Sequence, residues 1–357
     1  MSRYPFKLVV SEGANVARAW ASHALGRALS RPMTANLILT ERCNSRCTTC
    51  DYWKRNVRAK DELSLKDIER IAGDLAAMGT RMVALSGGEP TLREDLAAIV
   101  RAFKQRDFLV QITTNGLLLD TERGEALLRS GIDRITVSLD SHLPPRYTQI
   151  RGVDAAQDLL RRLTTLLARA PRPIVETNTV LMAQNLDEAP ATLEHLLGLG
   201  IDGVNLSPAV VEGDNNVLDG DKPDLLPTDD TRVMRTVERL IELKRREPVR
   251  MRPSVAFLEG IVPYFRDPRR PAFDCWAGYV SIDVYQDGTV RLCGSTAPIG
   301  NARDGLRRVW EGALAETRRR EMLAGRCPGC HVSCKAEPSI VVAPRTGMRA
   351  ALGRLRG

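Results

Sequence analysis

Three cysteines stand within eight residues of the stretch LTERCNSRCTTCDYW, at the spacing Cys43-x3-Cys47-x2-Cys50. Three thiols are one too many for a disulfide and one too few for a closed tetrahedral zinc site. Thiolates also hold iron–sulfur clusters, and a four-iron cubane takes four ligands. Three protein thiolates leave one iron open to a molecule from outside. A zinc ion completed by a distant residue and three plain core cysteines are the other readings of the same spacing.

Such a loop needs elements that hold it. From residue 34 to about 210, short β-like runs alternate with amphipathic segments. Strands are expected at 34–40, 81–86, 108–114, 132–139, 174–181 and 201–207. Between the first two, 64–78 places Leu65, Ile68, Ile71, Ala72 and Leu75 on one helical face, with Ser64 as N-cap and Gly79 as stop. Repeated β-then-α units argue for a parallel sheet with right-handed crossovers. Six of them make an α/β fold, an incomplete TIM-type (βα)6 barrel whose working residues sit at the C-terminal ends of the strands. The cysteine loop follows the first strand directly.

Other polar groups fall at the same ends. SGGEP, Ser86 to Pro90, follows the second strand; TTNG, Thr113 to Gly116, ends the third; VSLDS, Val137 to Ser141, ends the fourth; IRG stands at 150–152. In this order the chain resembles the radical S-adenosylmethionine (SAM) superfamily. The resemblance implies a [4Fe-4S] cluster on Cys43, Cys47 and Cys50, whose open iron is chelated by the amino and carboxylate groups of SAM. It assigns Gly87, Gly88 and Glu89 to the methionyl amino group. Ser138 and Asp140 are placed near the carboxylate and ribose, with Arg151 as a partner for that carboxylate. Asn115 and Tyr52 complete the expected SAM contacts. Physically, glycines let backbone approach a ligand and a carboxylate pairs an ammonium. One departure stands out: many relatives carry an aromatic residue just before the third cysteine, where this chain has Thr49. Tyr52 and Trp53 follow and are expected over the cluster or the adenine. The implied chemistry is one-electron cleavage of SAM to a 5′-deoxyadenosyl radical, which abstracts hydrogen from an unactivated carbon; flavodoxin or ferredoxin would be the external electron donor.

After residue 210 the pattern changes. Residues 212–231 are rich in Asp, Gly, Asn and Pro and read as a loop over the barrel mouth, followed by a helix at 229–246. Residues 278–293 alternate and turn at Asp287-Gly288, a hairpin signal. A helix is expected near 304–324, then CPGCHVSC at 327–334. Gly288-x4-Cys293 followed by a C-x2-C resembles the twitch or SPASM-type domains that hold an auxiliary iron–sulfur cluster. The simplest ligand set is Cys275, Cys293, Cys327 and Cys330. Cys334 is then left to substitute for one of them, to give a hydrogen atom to a substrate radical, or to serve structure. Zinc on the same four thiols, or a knuckle of Cys327, Cys330, His331 and Cys334, is the competing reading. The expected organisation is an N-terminal amphipathic extension (1–33), the barrel (34–210), a lid loop and linker helix (211–270), a small α+β auxiliary-cluster domain (271–338) and a basic tail (339–357).

The resemblance extends to dehydrogenases of aminocyclitol antibiotic pathways and to peptide-modifying enzymes such as anaerobic sulfatase-maturating enzymes. An auxiliary cluster suits net oxidation, because it takes up the electron that a substrate radical loses. Five C-terminal cysteines lean toward the first group and a small polar metabolite. A peptide or lipid substrate is the alternative, and a zinc-stabilised binding module without turnover the reading from another class. Only 33 residues precede the first expected strand, too few for a leader-peptide domain of ~80 residues or more. Proton acceptors are sought at Glu212, Asp214 and Asp219 in the lid and at Asn178 and Asn185 beside the fifth strand.

Composition narrows the rest. With 357 residues and ordinary apolar content, the chain has enough length for a sizeable core. A net charge of +8, carried mostly by arginine, is too diffuse to argue for nucleic acid. No apolar run reaches the ~20 residues of a membrane helix, and Glu12, Asn15 and Arg18 interrupt any signal-peptide pattern. A cytoplasmic location is expected, where eight cysteines stay reduced and are ligands before they are disulfides. Residues 14–30 place Val16, Trp20, Leu25 and Leu29 on one helical face, expected to dock on the protein's own core rather than on a membrane surface.

Overall fold

The structure is a computed structural model and describes residues 6–210, 222–270 and 272–343. Its framework is a nine-stranded sheet in the order β6-β5-β4-β3-β2-β1-β7-β8-β9. Helix α1 (Phe6–Leu25) precedes β1 (Thr34–Ile38); then come α2 (Leu65–Met78), β2 (Met82–Ser86), α3 (Leu96–Lys104) and β3 (Leu109–Thr114). They are followed by α4 (Glu122–Arg129), β4 (Arg134–Ser138), α5 (Pro144–Arg151), α6 (Ala156–Leu167), β5 (Ile174–Leu181), α7 (Ala189–Gly198) and β6 (Gly203–Pro208). All six strands run parallel, each paired with the next. The expected partial barrel is present, with each strand within about two residues of its expected limits.

Strand residues alternate. Ala35, Leu37, Val83, Leu85, Val110, Ile112, Ile135 and Val137 are buried against helix residues such as Ile68, Ile71 and Leu75, at roughly 2 kcal/mol for each large apolar side chain. The alternate positions face the concave side and are largely polar: Asn36, Gln111, Thr136, Glu176 and Asn205. Glu176 is held there, accepting from Asn205 Nδ2 at 3.0 Å and from Arg252 Nε at 2.8 Å. Helix α2 starts where expected, since the Ser64 side chain accepts from Asp67 N–H and Asp67 caps in return.

Beyond β6, helices α8 (Asp230–Arg246), α9 (Val255–Glu259), α10 (Ile261–Arg266) and α11 (Ala277–Val280) lead to β7 (Ser281–Val284) and β8 (Thr289–Arg291). These two form the expected hairpin through Asp287-Gly288. Its placement was not legible in the sequence: β7 pairs in parallel with β1, so the hairpin extends the barrel's own sheet. Strand β9 (Gly300–Asn301) closes that edge, followed by α12 (Leu306–Trp310), α13 (Ala313–Leu323) and α14 (Ser333–Val342). The single helix expected at 304–324 is thus two. Helix α14 touches both rims of the open barrel: Ser333 meets Ser207 of β6 at 2.8 Å, and Lys335 reaches Ser281 and Asp283 of β7.

The N-terminal helix docks on the protein's own core as expected, with Ala19 and Val16 packed against Trp276, Tyr279, Val280 and Val342, but the face it buries needs correction. Helix α1 ends at Leu25, and the apolar stripe is not its buried face: Trp20, Leu25 and Leu29 are exposed, while Asn15, Ala19 and Ser22 are buried. With Ala19 and Val16, the His23 ring packs on Trp276 and Tyr279, and polar bonds add to the docking. Asn15 Nδ2 donates to Arg31 O, Ser22 Oγ accepts from Leu29 and Ser30 N–H, and Trp20 Nε1 donates to Val342 O. Among the described residues no helix is long and apolar enough to cross a membrane. The lid acids Glu212, Asp214 and Asp219, and the tail from Pro344, lie outside the described residues.

Candidate active site

The loop after β1 carries Cys43, Cys47 and Cys50, and three later segments grip it. Gly88 N–H donates to Thr40 O at 2.7 Å and Glu89 N–H to Arg42 O at 2.8 Å, so SGGEP lies backbone to backbone along the loop's first residues. Asn115 Nδ2 donates to Asn44 Oδ1 at 2.7 Å and Ser45 Oγ at 3.0 Å, between the first two cysteines. Arg46 and Thr48 N–H groups donate to the carbonyls of Arg151 and Ile150. Each motif therefore fixes one stretch of the cysteine loop.

The glycines follow from this packing. A Cβ on Gly87 would stand 2.3 Å from Thr40 O, and one on Gly88 2.3 Å from Arg42 O. Gly87 also has φ +146°, where a side chain is strained. Gly88→Ala should therefore push the two loops apart, weaken SAM binding at least tenfold and lower the melting temperature; unchanged SAM affinity in an equilibrium titration would refute this account.

Glu89 is fully buried. Its Oε1 accepts from Thr91 N–H at 3.0 Å, Thr91 Oγ1 at 2.6 Å and Thr114 Oγ1 at 2.7 Å; Oε2 accepts from Asn115 N–H at 2.7 Å. Burial raises its pKa, and these donors oppose the rise. The carboxylate ties the ends of β2 and β3 together, and only Oε2 retains acceptor capacity for an ammonium. Asp140, also fully buried, accepts from Val180 N–H at 2.8 Å and pairs with Arg151 Nε at 2.7 Å. That ion pair is poorly aligned as a hydrogen bond, since Nε and Oδ2 each lack a hydrogen-bond partner. Arg151 Nη1 reaches Cys47 Sγ at 3.7 Å. Burial opposes its charge, but Asp140 and Cys47 prevail and raise its pKa. Ser138 is half-buried at the end of β4. Asn185, considered as a proton acceptor, is spent on structure: Nδ2 donates to Asp140 O and Val180 O, and Oδ1 accepts from Met182 N–H. Asn178 is half-buried on β5, in register with Ser138 and Asn205.

Tyr52 is buried, with the Arg55 guanidinium 4.9 Å from its ring centre. Trp53 Nε1 donates to Cys47 O at 3.3 Å, so the indole lies against the cysteine loop. Lys222 was not singled out in the sequence. Its Nζ donates to Thr48 O at 3.0 Å and Asp51 Oδ1 at 2.9 Å, pinning the loop's far end.

Five of the eight cysteine sulfurs share one pattern. The N–H two residues on donates to Cys43 Sγ (Ser45, 3.4 Å) and to Cys50 Sγ (Tyr52, 3.5 Å). The same relation recurs from Ala277 to Cys275, Ser295 to Cys293 and Val332 to Cys330. In the C-terminal group, Cys330 interacts electrostatically with Cys293, Cys275 and Cys327, and Cys275 with Cys327. Cys293 and Cys330 are buried and Cys334 is exposed. His331 points elsewhere: its Nε2 meets Phe257 O at 2.7 Å and its ring stacks on Phe257.

A family model described as the radical SAM superfamily matches residues 37–196. The probable GTP 3',8-cyclase of Saccharolobus solfataricus is 30% identical over 258 residues, covering 72% of this chain and 81% of that one. This chain belongs to the radical SAM superfamily. The probable GTP 3',8-cyclase of Thermococcus kodakarensis is 40% identical over 131 residues, 36% of this chain and 42% of that protein. Among solved structures, Streptococcus suis SuiB bound to precursor peptide SuiA has a TM-score of 0.65 at 18% identity, covering 88% of this chain and 72% of SuiB. Native anSMEcpe with bound AdoMet has a TM-score of 0.62 at 15% identity, covering 82% and 84%. At these identities the two structures speak for the shared fold.

Radical SAM enzymes use a [4Fe-4S] cluster and SAM, and the cysteine loop fits a cluster. Burial pushes the Cys43 thiol up to about 12 and Cys50 to about 11, with neighbouring cysteines adding to both rises. Iron supplies the positive charge that lets such thiols lose their protons. Among the described residues no three His, Cys, Asp or Glu side chains stand close enough to share one metal ion. A cubane makes no such demand, since each thiolate meets its own iron.

Proposed function

We propose that this radical SAM enzyme is an oxidoreductase with one auxiliary [4Fe-4S] cluster, acting on a small polar metabolite. The observation that carries the reading is the electrostatic interaction of Cys330 with Cys275, Cys293 and Cys327, and of Cys275 with Cys293 and Cys327, in the unit built onto the barrel's β1 edge, Cys334 being exposed. Four thiolates fill the four irons of a cubane, so such a cluster holds no substrate on iron and is suited to accepting an electron. Cys43, Cys47 and Cys50 would hold the first cluster, and Gly87, Gly88, Glu89, Asn115, Ser138, Asp140, Arg151 and Tyr52 would surround SAM. Bound together, cluster and SAM supply abstraction of a hydrogen atom from an unactivated carbon. The chain's own part is to orient that carbon and exclude water. The polar concave face, with Asn36, Gln111, Thr136, Asn178 and Asn205, supports a small hydrogen-bonding substrate. The relatives named for GTP support a small molecule over a peptide. A flavodoxin- or ferredoxin-type donor would reduce the first cluster.

The test is anaerobic reconstitution followed by iron counting, with about eight irons per chain expected. Deuterated aminocyclitols and GTP are then offered with SAM and dithionite. Deuterium in 5′-deoxyadenosine and a product two hydrogens lighter would support oxidation. A product isomeric with its substrate would overturn it in favour of cyclisation, and stoichiometric zinc would sink the enzyme reading altogether.

A further inference from the structure

A buried ion pair lies where the C-terminal cysteines meet the barrel. Lys335 of α14 is 6% exposed, and its Nζ stands 2.8 Å from Asp283 Oδ1 and 3.1 Å from Ser281 Oγ. Asn36 Nδ2 donates to the same Oδ1 at 2.6 Å, across the β1–β7 register. These contacts dock α14 on the seam, yet neutral partners would do that without the desolvation cost of two charges. The charges have a neighbour that distinguishes them. Asp283 pairs in register with Arg291 of β8, two residues before Cys293, and Lys335 follows Cys334 directly, so both charges sit at the cysteine cluster. The Cys293 thiol feels both, and Cys275 feels the lysine.

We propose that Lys335 holds up the reduction potential of the auxiliary cluster, with Asp283 positioning its ammonium and partly offsetting it. The inference rests on the auxiliary-cluster reading above. A four-thiolate cubane is anionic, and reduction adds one more negative charge. A fixed cation favours the reduced form and a fixed carboxylate disfavours it, strongly so away from water. The cluster is thereby poised to accept an electron from substrate.

The experiment is an anaerobic redox titration of the reconstituted full chain, followed by electron paramagnetic resonance. It is done in a Cys43→Ala/Cys47→Ala/Cys50→Ala background so that only the auxiliary signal remains. Lys335→Gln and Lys335→Met should move the midpoint to more negative values, and Asp283→Asn should move it the opposite way. Shifts of the same sign, unchanged midpoints, or loss of the second cluster's iron in Lys335→Gln and Asp283→Asn alike would reduce the pair to a packing element and overturn the inference. A parent without a second cluster's iron or signal would instead overturn the auxiliary-cluster reading itself.

Discussion

The Cys43→Ala/Cys47→Ala/Cys50→Ala variant should hold about four irons where the parent holds about eight, and should form no 5′-deoxyadenosine from SAM and dithionite. The expectation is sharp because most of the bonds that shape the loop bypass its sulfurs, and within the loop only the Ser45 and Tyr52 N–H bonds to Cys43 and Cys50 go with them. Arg46 and Thr48 N–H groups remain bonded to Arg151 and Ile150, Asn115 still reaches Asn44 and Ser45, and Gly88 and Glu89 still lie along Thr40 and Arg42. Arg151 loses a sulfur partner and keeps Asp140. The apo variant should therefore melt close to the apo parent. The residual irons belong to residues far along the chain. Surviving SAM cleavage would remove the site assignment, and loss of all iron would mean that the two cysteine groups do not load independently.

The barrel was legible because its signals are local. Each strand is a short apolar run closed by polar residues, and α2 carries both its cap and its stripe. The cysteine loop was legible for the same reason, since its spacing is the chemistry. What sequence missed was set by distance along the chain. That β7 pairs with β1, nearly 250 residues away, is decided by which sheet edge is open, and no periodicity records it. Lys335 and Asp283 lie 52 residues apart, and each alone looks like an ordinary surface charge. Helix α1 docks on the core as expected but turned from its stripe: Val16 stays packed beside Ala19, Asn15, Ser22 and Trp20 find backbone partners, and Trp20, Leu25 and Leu29 are left exposed. The motif residues were found, but for a partial reason. Gly87, Gly88 and Glu89 were sought as ligand contacts, whereas the structure spends much of them on holding the cysteine loop.

Among the C-terminal cysteines, Cys334→Ala should leave the iron content and the auxiliary signal unchanged, while Cys330→Ala should lose about four irons. Cys330 is buried and interacts with Cys275, Cys293 and Cys327 at once, so its removal opens the set at its centre. Burial holds its thiol well above the ordinary cysteine range, as it raises Cys275 and Cys293, and bound iron would supply the positive charge that favours their thiolates. Cys334 stands exposed at the start of α14, beside Lys335. It belongs to a helix anchored independently, through Ser333 to Ser207 and Lys335 to Asp283, so its loss leaves the cluster loop in place. If Cys334→Ala loses the second cluster while Cys275→Ala retains it, the ligand set is exchanged and Cys334 takes the fourth position. If both retain it, neither thiol is required, and the four-thiolate closure that supports electron uptake no longer stands.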